Sequence, residues 1–288
     1  MIRDKYRGRG VGIVQTGWAV GWGVSALAYT GLYAFLPEAI AWRVLFAIGL
    51  LPAGFAFWIR RHIDEPEIFR DRQRARPTVG VSHLFAAFQG PFLWTTVKVT
   101  LMVAGAQGGG YALGIWMPTY LRTVRGLSAT GTGGFLLVQI LGALFGFLLG
   151  SYLSDAIGRK LTFMLSAIGS FIMILIYMFV PMDNTTLLFA GIPLFTIFLI
   201  KFPPMGSFMT ELYPTAVRGT AQGFCYNAGR AIGSFLPTLV GFASQSLPLG
   251  ATIAVFSAFA SAIMVVMLLL LPETRGRSLD SREAAPAD

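Results

Sequence analysis

Two apolar runs separated by a short charged turn lie at residues 136–180, which read LLVQILGALFGFLLGSYLSDAIGRKLTFMLSAIGSFIMILIYMFV. Each run holds about 20 residues, and a helix of that length crosses the roughly 30 Å hydrocarbon layer of a bilayer. A segment in lipid must satisfy its own backbone hydrogen bonds, so helices are expected rather than strands of an open sheet. These residues therefore indicate an all-α membrane protein.

The composition extends this conclusion to the whole chain. Of 288 residues, 55% are hydrophobic and only 12% are charged, and the mean hydropathy is +0.67. Soluble globular domains carry about 25% charged residues. We predict eight transmembrane helices, with approximate bounds 11–34, 42–59, 91–120, 132–153, 161–181, 186–209, 219–243 and 250–271.

Positive residues are concentrated on one side of the predicted spans. Basic residues favour the cytoplasmic side of a membrane, so we expect both termini in the cytoplasm and the protein in the cell (inner) membrane. The net charge of +9 then reflects topology and attraction to anionic lipid rather than nucleic-acid binding. Sixteen of the 22 basic residues lie on this side: Arg3, Lys5, Arg7, Arg9, Arg60, Arg61, Arg70, Arg72, Arg74, Arg76, Arg159, Lys160, Arg218, Arg275, Arg277 and Arg282.

One long polar connection divides the chain. Residues 60–90 are rich in charge, and we predict a cytoplasmic linker there. It joins a two-span unit at 1–59 to a six-span bundle at 91–271, and residues 272–288 form a cytoplasmic tail.

A glycine pattern occurs twice, at the start of the first and the seventh predicted spans. The pattern R-G-x3-G, followed by G-x3-G, lies at residues 7–21 and again at 218–233. Each copy is followed by a further span and then by a Pro-Glu pair, Pro66-Glu67 or Pro272-Glu273. G-x3-G alone is a common helix-packing motif, but the agreement of all three features favours a parallel repeat. Such repeats are typical of secondary transporters built from two similar halves.

Three charged motifs lie in predicted cytoplasmic connections, and their order along the chain resembles that of the major facilitator superfamily. They are SDAIGRK at 154–160, ELYPTAVRG at 211–219 and PETRG at 272–276. The resemblance covers essentially the whole chain and implies twelve spans in two six-helix halves. Aligned on these motifs, the eight predicted spans match the last two of the N-terminal half and all six of the C-terminal half. The first four spans are therefore expected to be missing. Ser151 and Ala156 depart from the family pattern, which usually has Gly and a basic residue there.

The resemblance also implies a cytoplasmic gate. Asp155 and Arg159 lie in one short turn, where the family resemblance implies a clamp that breaks when the transporter changes conformation. Glu211 and Arg218 are assigned to the same gate. The alternative is a solvated turn that only obeys the distribution of positive charge.

Two cations lie deep inside predicted spans. Arg230 is 12 residues beyond Arg218 and Lys201 is ten residues before Glu211, which places them about 18 Å and 15 Å from the cytoplasmic boundary. A charge at the bilayer centre costs at least about 2.5 to 3.5 kcal/mol on insertion scales, so it normally faces a cavity or a partner. We expect them to bind an anionic substrate, most simply a carboxylate, with Asn227 beside Arg230. The alternative partner is an acidic residue on the missing spans.

A run of three glycines, Gln107-Gly108-Gly109-Gly110-Tyr111, lies in the third predicted span. Gln107 and Tyr111 share one helix face and are predicted as polar substrate contacts. The glycines either open a bend that brings the backbone near a ligand, or allow close helix packing.

These features predict secondary active transport of a small organic anion, coupled to protons, by alternating access. The segment WMPTYL at 116–121, with the charged motifs, most resembles metabolite and sialate or carboxylate symporters. The alternative is a truncated, non-transporting fragment of such a carrier.

Other classes of protein find no support in the sequence. One cysteine and two histidines argue against a disulfide framework and a metal centre. A phosphate-binding loop and the common hydrolase motifs are absent, so we expect no enzyme activity and no cofactor. The predicted partners are an organic anion, protons and the lipid bilayer.

Overall fold

The computed structural model describes residues 7–62, 88, 90, 92–214 and 217–276. Within these residues every regular element is helical, which confirms the predicted all-α class. The eleven helices are α1 (Arg7–Phe35), α2 (Glu38–Ile48), α3 (Leu51–His62), α4 (Phe92–Thr123), α5 (Ala129–Ala156), α6 (Arg159–Phe179), α7 (Asn184–Leu199), α8 (Phe202–Leu212), α9 (Arg218–Gly233), α10 (Leu236–Ala243) and α11 (Leu249–Leu269).

Each predicted span coincides with a helix or a pair of consecutive helices. Five helical stretches among the described residues are long and apolar enough to cross a membrane: Ala39–His62, Leu137–Ala156, Arg159–Phe179, Asn184–Leu212 and Leu249–Leu269. The remaining stretches, α1, α4 and α9 with α10, carry more glycine and polar residues. The arrangement of eight spans therefore stays a prediction.

Three of the predicted spans are interrupted by a two-residue turn. A proline has no N–H for the carbonyl four residues before it, so the helical hydrogen bond at that position is lost. The sequence predicts such an interruption in the sixth span, from Pro203 and Pro204 next to Lys201. In the structure it lies at Ile200 and Lys201. The other two turns, which sequence reasoning missed, precede Pro52 and Pro237 in the same way.

The chain divides into two compact units. One comprises residues 20–82 and contains α2 and α3; the other comprises residues 1–19 and 83–288 and contains α4 to α11. The predicted linker falls largely on residues 63–87 and 89, and the predicted tail mainly on 277–288, which lie outside the described residues.

The larger unit is a bundle in which α4 packs against α9 and α11, α5 against α7, and α6 against α7 and α11. Small residues allow the close crossings. A Cβ added at Gly146 would lie 2.6 Å from the Thr196 carbonyl oxygen, and one at Gly142 would lie 2.8 Å from the Ile192 carbonyl oxygen. Such contacts replace the hydrophobic drive that is missing between helices in lipid.

Two buried clusters occupy opposite ends of the bundle. One includes Leu113 and Leu194, and the other includes Phe163, Phe208 and Met264. Large apolar side chains also cover the outside, as in the 57% exposure of Ile168. Extensive exposed apolar surface marks an interaction site or a membrane-facing surface.

Candidate functional site

Arg230 lies in an open groove between α4 and α9, with a volume of about 440 Å³. Arg230 and Asn227 are exposed and Tyr111 is half-buried. The groove thus brings together three of the five predicted substrate contacts. Its lining consists of Tyr111, Ile115, Asn227, Arg230, Ala231 and Ser234.

Glycines let the two helices that carry this groove approach closely. A Cβ added at Gly233 would lie 2.8 Å from the Gly108 nitrogen, and one at Gly229 would lie 2.7 Å from the Thr100 carbonyl oxygen. Of the two roles left open for the glycine run, Gly108 therefore serves packing, and α4 stays continuous through residues 108–110.

The guanidinium of Arg230 has no ion pair and no side-chain hydrogen bond to any residue that the structure describes. Asn227, one turn earlier, donates from Nδ2 to the Gly223 carbonyl at 2.8 Å. The groove therefore presents a positive charge beside an amide, a phenol and an aliphatic side chain. This combination is suited to a small anion with an apolar body.

Lys201 and Gln107 do not line the groove. Lys201 is 2% exposed at the turn between α7 and α8, and its Nζ lies 3.5 Å from the centre of the Phe198 ring. Gln107 is buried on α4 at 6% exposure. The depth of Arg230 and Lys201 was inferred from position along the chain, which does not specify the direction in which each side chain points.

Arg159 joins two acidic residues at the other candidate site, the predicted gate. Its Nη1 lies 3.3 Å from Asp155 Oδ1, and its Nη2 lies 3.1 Å from Glu211 Oε1. Nη1 also donates to the Ser154 carbonyl at 2.8 Å. All three charged side chains of this triad are nearly inaccessible to solvent. Removing one member of a buried ion pair typically costs about 3–5 kcal/mol, because the other charge is left uncompensated.

Arg218, the fourth residue assigned to the gate, donates from Nε to the Tyr213 carbonyl at 3.1 Å. It thereby holds the turn that follows α8. The turn between α5 and α6 contains Gly158 with φ +101°, a conformation that favours glycine.

Two further residues of the gate region were not predicted. Thr274 donates from Oγ1 to Glu211 Oε2 at 2.6 Å. The Glu273 carboxylate accepts backbone N–H groups of Arg159 at 3.2 Å and Lys160 at 3.0 Å, at the start of α6. An acid at a helix N-terminus satisfies free N–H groups and interacts favourably with the helix dipole. Both residues belong to the PETRG motif, which was the available signal.

The chain is similar to known transport proteins along most of its length. The family model described as Major Facilitator Superfamily matches residues 1–237. The "Probable 4-methylmuconolactone transporter" of Cupriavidus pinatubonensis is 34% identical over 288 residues, covering 100% of this chain and 66% of that protein. The "Cis,cis-muconate transport protein" of Acinetobacter baylyi is 29% identical over 94% of this chain and 66% of its own length.

Two more comparisons are more distant. The "Sialic acid transporter NanX" of Escherichia coli is 27% identical over 80% of this chain and 56% of its own length. The solved structure of the proton:xylose symporter XylE, bound to 6-bromo-6-deoxy-D-glucose, has a TM-score of 0.75 at 17% identity, covering 97% of this chain and 67% of that one. At this identity the likeness shows the fold alone. The chain spans 66% of the length of the first relatives that it matches.

Proposed function

The chain belongs to the major facilitator superfamily, and we propose that it acts in secondary active transport of a small organic carboxylate. Transport proceeds by alternating access across the inner membrane, with both termini in the cytoplasm, and is coupled to protons. The family consists of membrane transporters and not of enzymes.

The Arg230 groove is the observation that carries this proposal. A guanidinium offers paired N–H donors whose geometry matches a carboxylate, and this one has no acidic partner among the described residues. Asn227 and Tyr111 add polar contacts, and Ile115 faces the apolar part of the substrate. Gln107 and Lys201 do not line this groove, so their contact with the substrate stays a prediction from the sequence.

The relatives support the same class of substrate. Two carry names that refer to a muconolactone and to muconate, and a third is named for sialic acid; muconate and sialic acid are carboxylates. Proton coupling is proposed because XylE, which shares the fold, is described as a proton symporter.

The cytoplasmic gate is the second part of the proposal. In this conformation Arg159 links α5 with α8 through Asp155 and Glu211. If α5 and α8 separated, the buried charges would lose these partners and would have to be hydrated instead. Arg218 contributes by holding the Tyr213 turn at the end of α8.

Replacing Arg230 with Gln tests the carboxylate site. Hydrogen bonds to a charged group contribute about 1.5–3 kcal/mol, so affinity is expected to fall about 10- to 150-fold. The measurement is uptake of radiolabelled cis,cis-muconate, 4-methylmuconolactone and sialic acid by cells that express the complete coding sequence. A protonophore should abolish uptake by the unmodified protein.

Arg122→Gln is the matched control, because Arg122 is an exposed basic residue in the last turn of α4. This variant should transport normally, and both variants should reach the membrane in equal amounts. Uptake that survives Arg230→Gln undiminished would contradict the proposed site. Failure of the unmodified protein to take up any of the three compounds would contradict the proposed substrate class.

A further inference from the structure

The turn between α7 and α8 holds a buried amine without an acidic partner. Lys201 is 2% exposed, and its Nζ lies 3.5 Å from the Phe198 ring centre and 5.9 Å from that of Phe202. Across the part of the chain that the structure describes, Nζ has no carboxylate within 4.0 Å and donates no hydrogen bond. Its electrostatic contacts are therefore the faces of aromatic rings.

An aromatic face satisfies an ammonium group only in part. The ring quadrupole attracts the charge, but none of the three N–H donors of the ammonium finds an oxygen acceptor among the residues that the structure describes. A carboxylate provides both the opposite charge and strong hydrogen bonds. A carboxylate next to Lys201 would supply the opposite charge and the oxygen acceptors that the Phe198 ring lacks.

The ring of Phe198 lies where its displacement would affect other parts of the bundle. A Cβ added at Gly110 would lie 3.2 Å from the Cε1 and Cζ atoms of this ring, so the ring packs against α4 next to Tyr111. Phe198 is also in the last turn of α7, immediately before the interruption at residues 200–201. Its side chain therefore connects α7, which leads into the turn that holds Lys201, with α4, which lines the Arg230 groove.

We propose that Lys201 forms a second anion site, separate from the Arg230 groove, where the Phe198 ring occupies the place of the substrate carboxylate. Binding exchanges the ring for the carboxylate and releases the ring from the ammonium. This inference rests on the proposed function, because the ligand belongs to the same class.

The test measures equilibrium binding of cis,cis-muconate to the purified chain in lipid nanodiscs. Lys201→Met should raise the dissociation constant of this second site at least tenfold. Phe198→Leu should lower it, because the competing ring is gone; the strength of cation–π contacts corresponds to a gain of about 2- to 30-fold. In the Lys201→Met background, Phe198→Leu should give no gain, since the two effects act through one contact.

The chain offers a matched control for each substitution. Phe189→Leu changes an aromatic residue of the same helix that is 60% exposed, and Lys98→Met removes a half-buried lysine of α4; neither should change binding. Thermal unfolding of every variant identifies those that fail to fold. Lys201→Arg, which keeps a cation, should retain binding if the charge is what matters.

Lys201→Met is expected to weaken muconate binding and Phe198→Leu to strengthen it. This difference in sign distinguishes the proposal from a purely structural role of the two residues. Weaker or unchanged binding in folded Phe198→Leu would overturn it, and so would an equal gain in the Lys201→Met background. In both cases the proposed function stands if Arg230→Gln still weakens muconate binding by about 10- to 150-fold. A wild-type protein that binds no muconate overturns the proposed function together with this inference.

Discussion

The hydroxyl of Thr274 stabilises the buried negative charge of Glu211 through a hydrogen bond. It donates to Glu211 Oε2 at 2.6 Å, and Thr274 itself is fully buried. Thr274→Val keeps the shape of the side chain and removes the donor. A hydrogen bond to a charged group contributes about 1.5–3 kcal/mol, so we expect a clear fall in the midpoint of thermal unfolding.

Thr252→Val provides the comparison at the residue scale. Thr252 is equally buried at 1% exposure, but its hydroxyl donates to a neutral acceptor, the Leu249 carbonyl, at 2.8 Å. Its loss should cost only about 0.5–1.5 kcal/mol. Equal midpoints for the two variants would show that the Glu211 contact adds nothing special to stability.

At the scale of elements, the crossing of α4 and α9 depends on the absence of a side chain at Gly233. In Gly233→Ala the new methyl group would lie 2.8 Å from the Gly108 nitrogen, so the backbones must separate. Overpacking of this kind typically costs about 1–3 kcal/mol. We expect a lower unfolding midpoint and a distorted Arg230 groove, detected as weaker muconate binding.

Gly223→Ala, on the same helix, should behave in the opposite way. A Cβ at Gly223 has no neighbour within 4 Å among the described residues. Alanine there restricts the unfolded chain and favours the helix, which stabilises by about 0.4–1 kcal/mol. Equal effects of the two alanines would mean that helix propensity, and not the crossing, determines the outcome.

At the scale of the whole molecule, the distribution of positive charge predicts which loops face the cytoplasm. Ala156 lies exposed beside the α5–α6 turn, and Asn184 lies exposed at the start of α7. In a Cys225→Ser background, which removes the sole cysteine, we expect Asn184→Cys in intact cells to react with a membrane-impermeant thiol reagent. Ala156→Cys should react only after the cells are permeabilised.

The opposite labelling pattern would invert the predicted topology, and reaction of both cysteines from outside would place the two loops on one side. The cysteine-free background protein, which should remain unlabelled, is the control for nonspecific reaction.

Much of the fold follows from interactions between residues close in the chain. Apolar length and helical hydrogen bonds four residues apart predicted the helical stretches, and Pro203-Pro204 predicted an interruption. The order of the three charged motifs indicated the family. These signals are local, so they can be read without knowing how the helices pack.

The sequence by itself thus determined an all-helical membrane protein and the order of its three charged motifs. Only the tertiary structure decided that Arg159 meets Glu211, 52 residues away, and that Lys201 faces Phe198 while Arg230 faces a groove. Position along a helix gives depth, but the direction of a side chain depends on how each helix is rotated in the bundle. That rotation is set by close contacts such as Gly108 with Gly233, which join segments far apart in the chain.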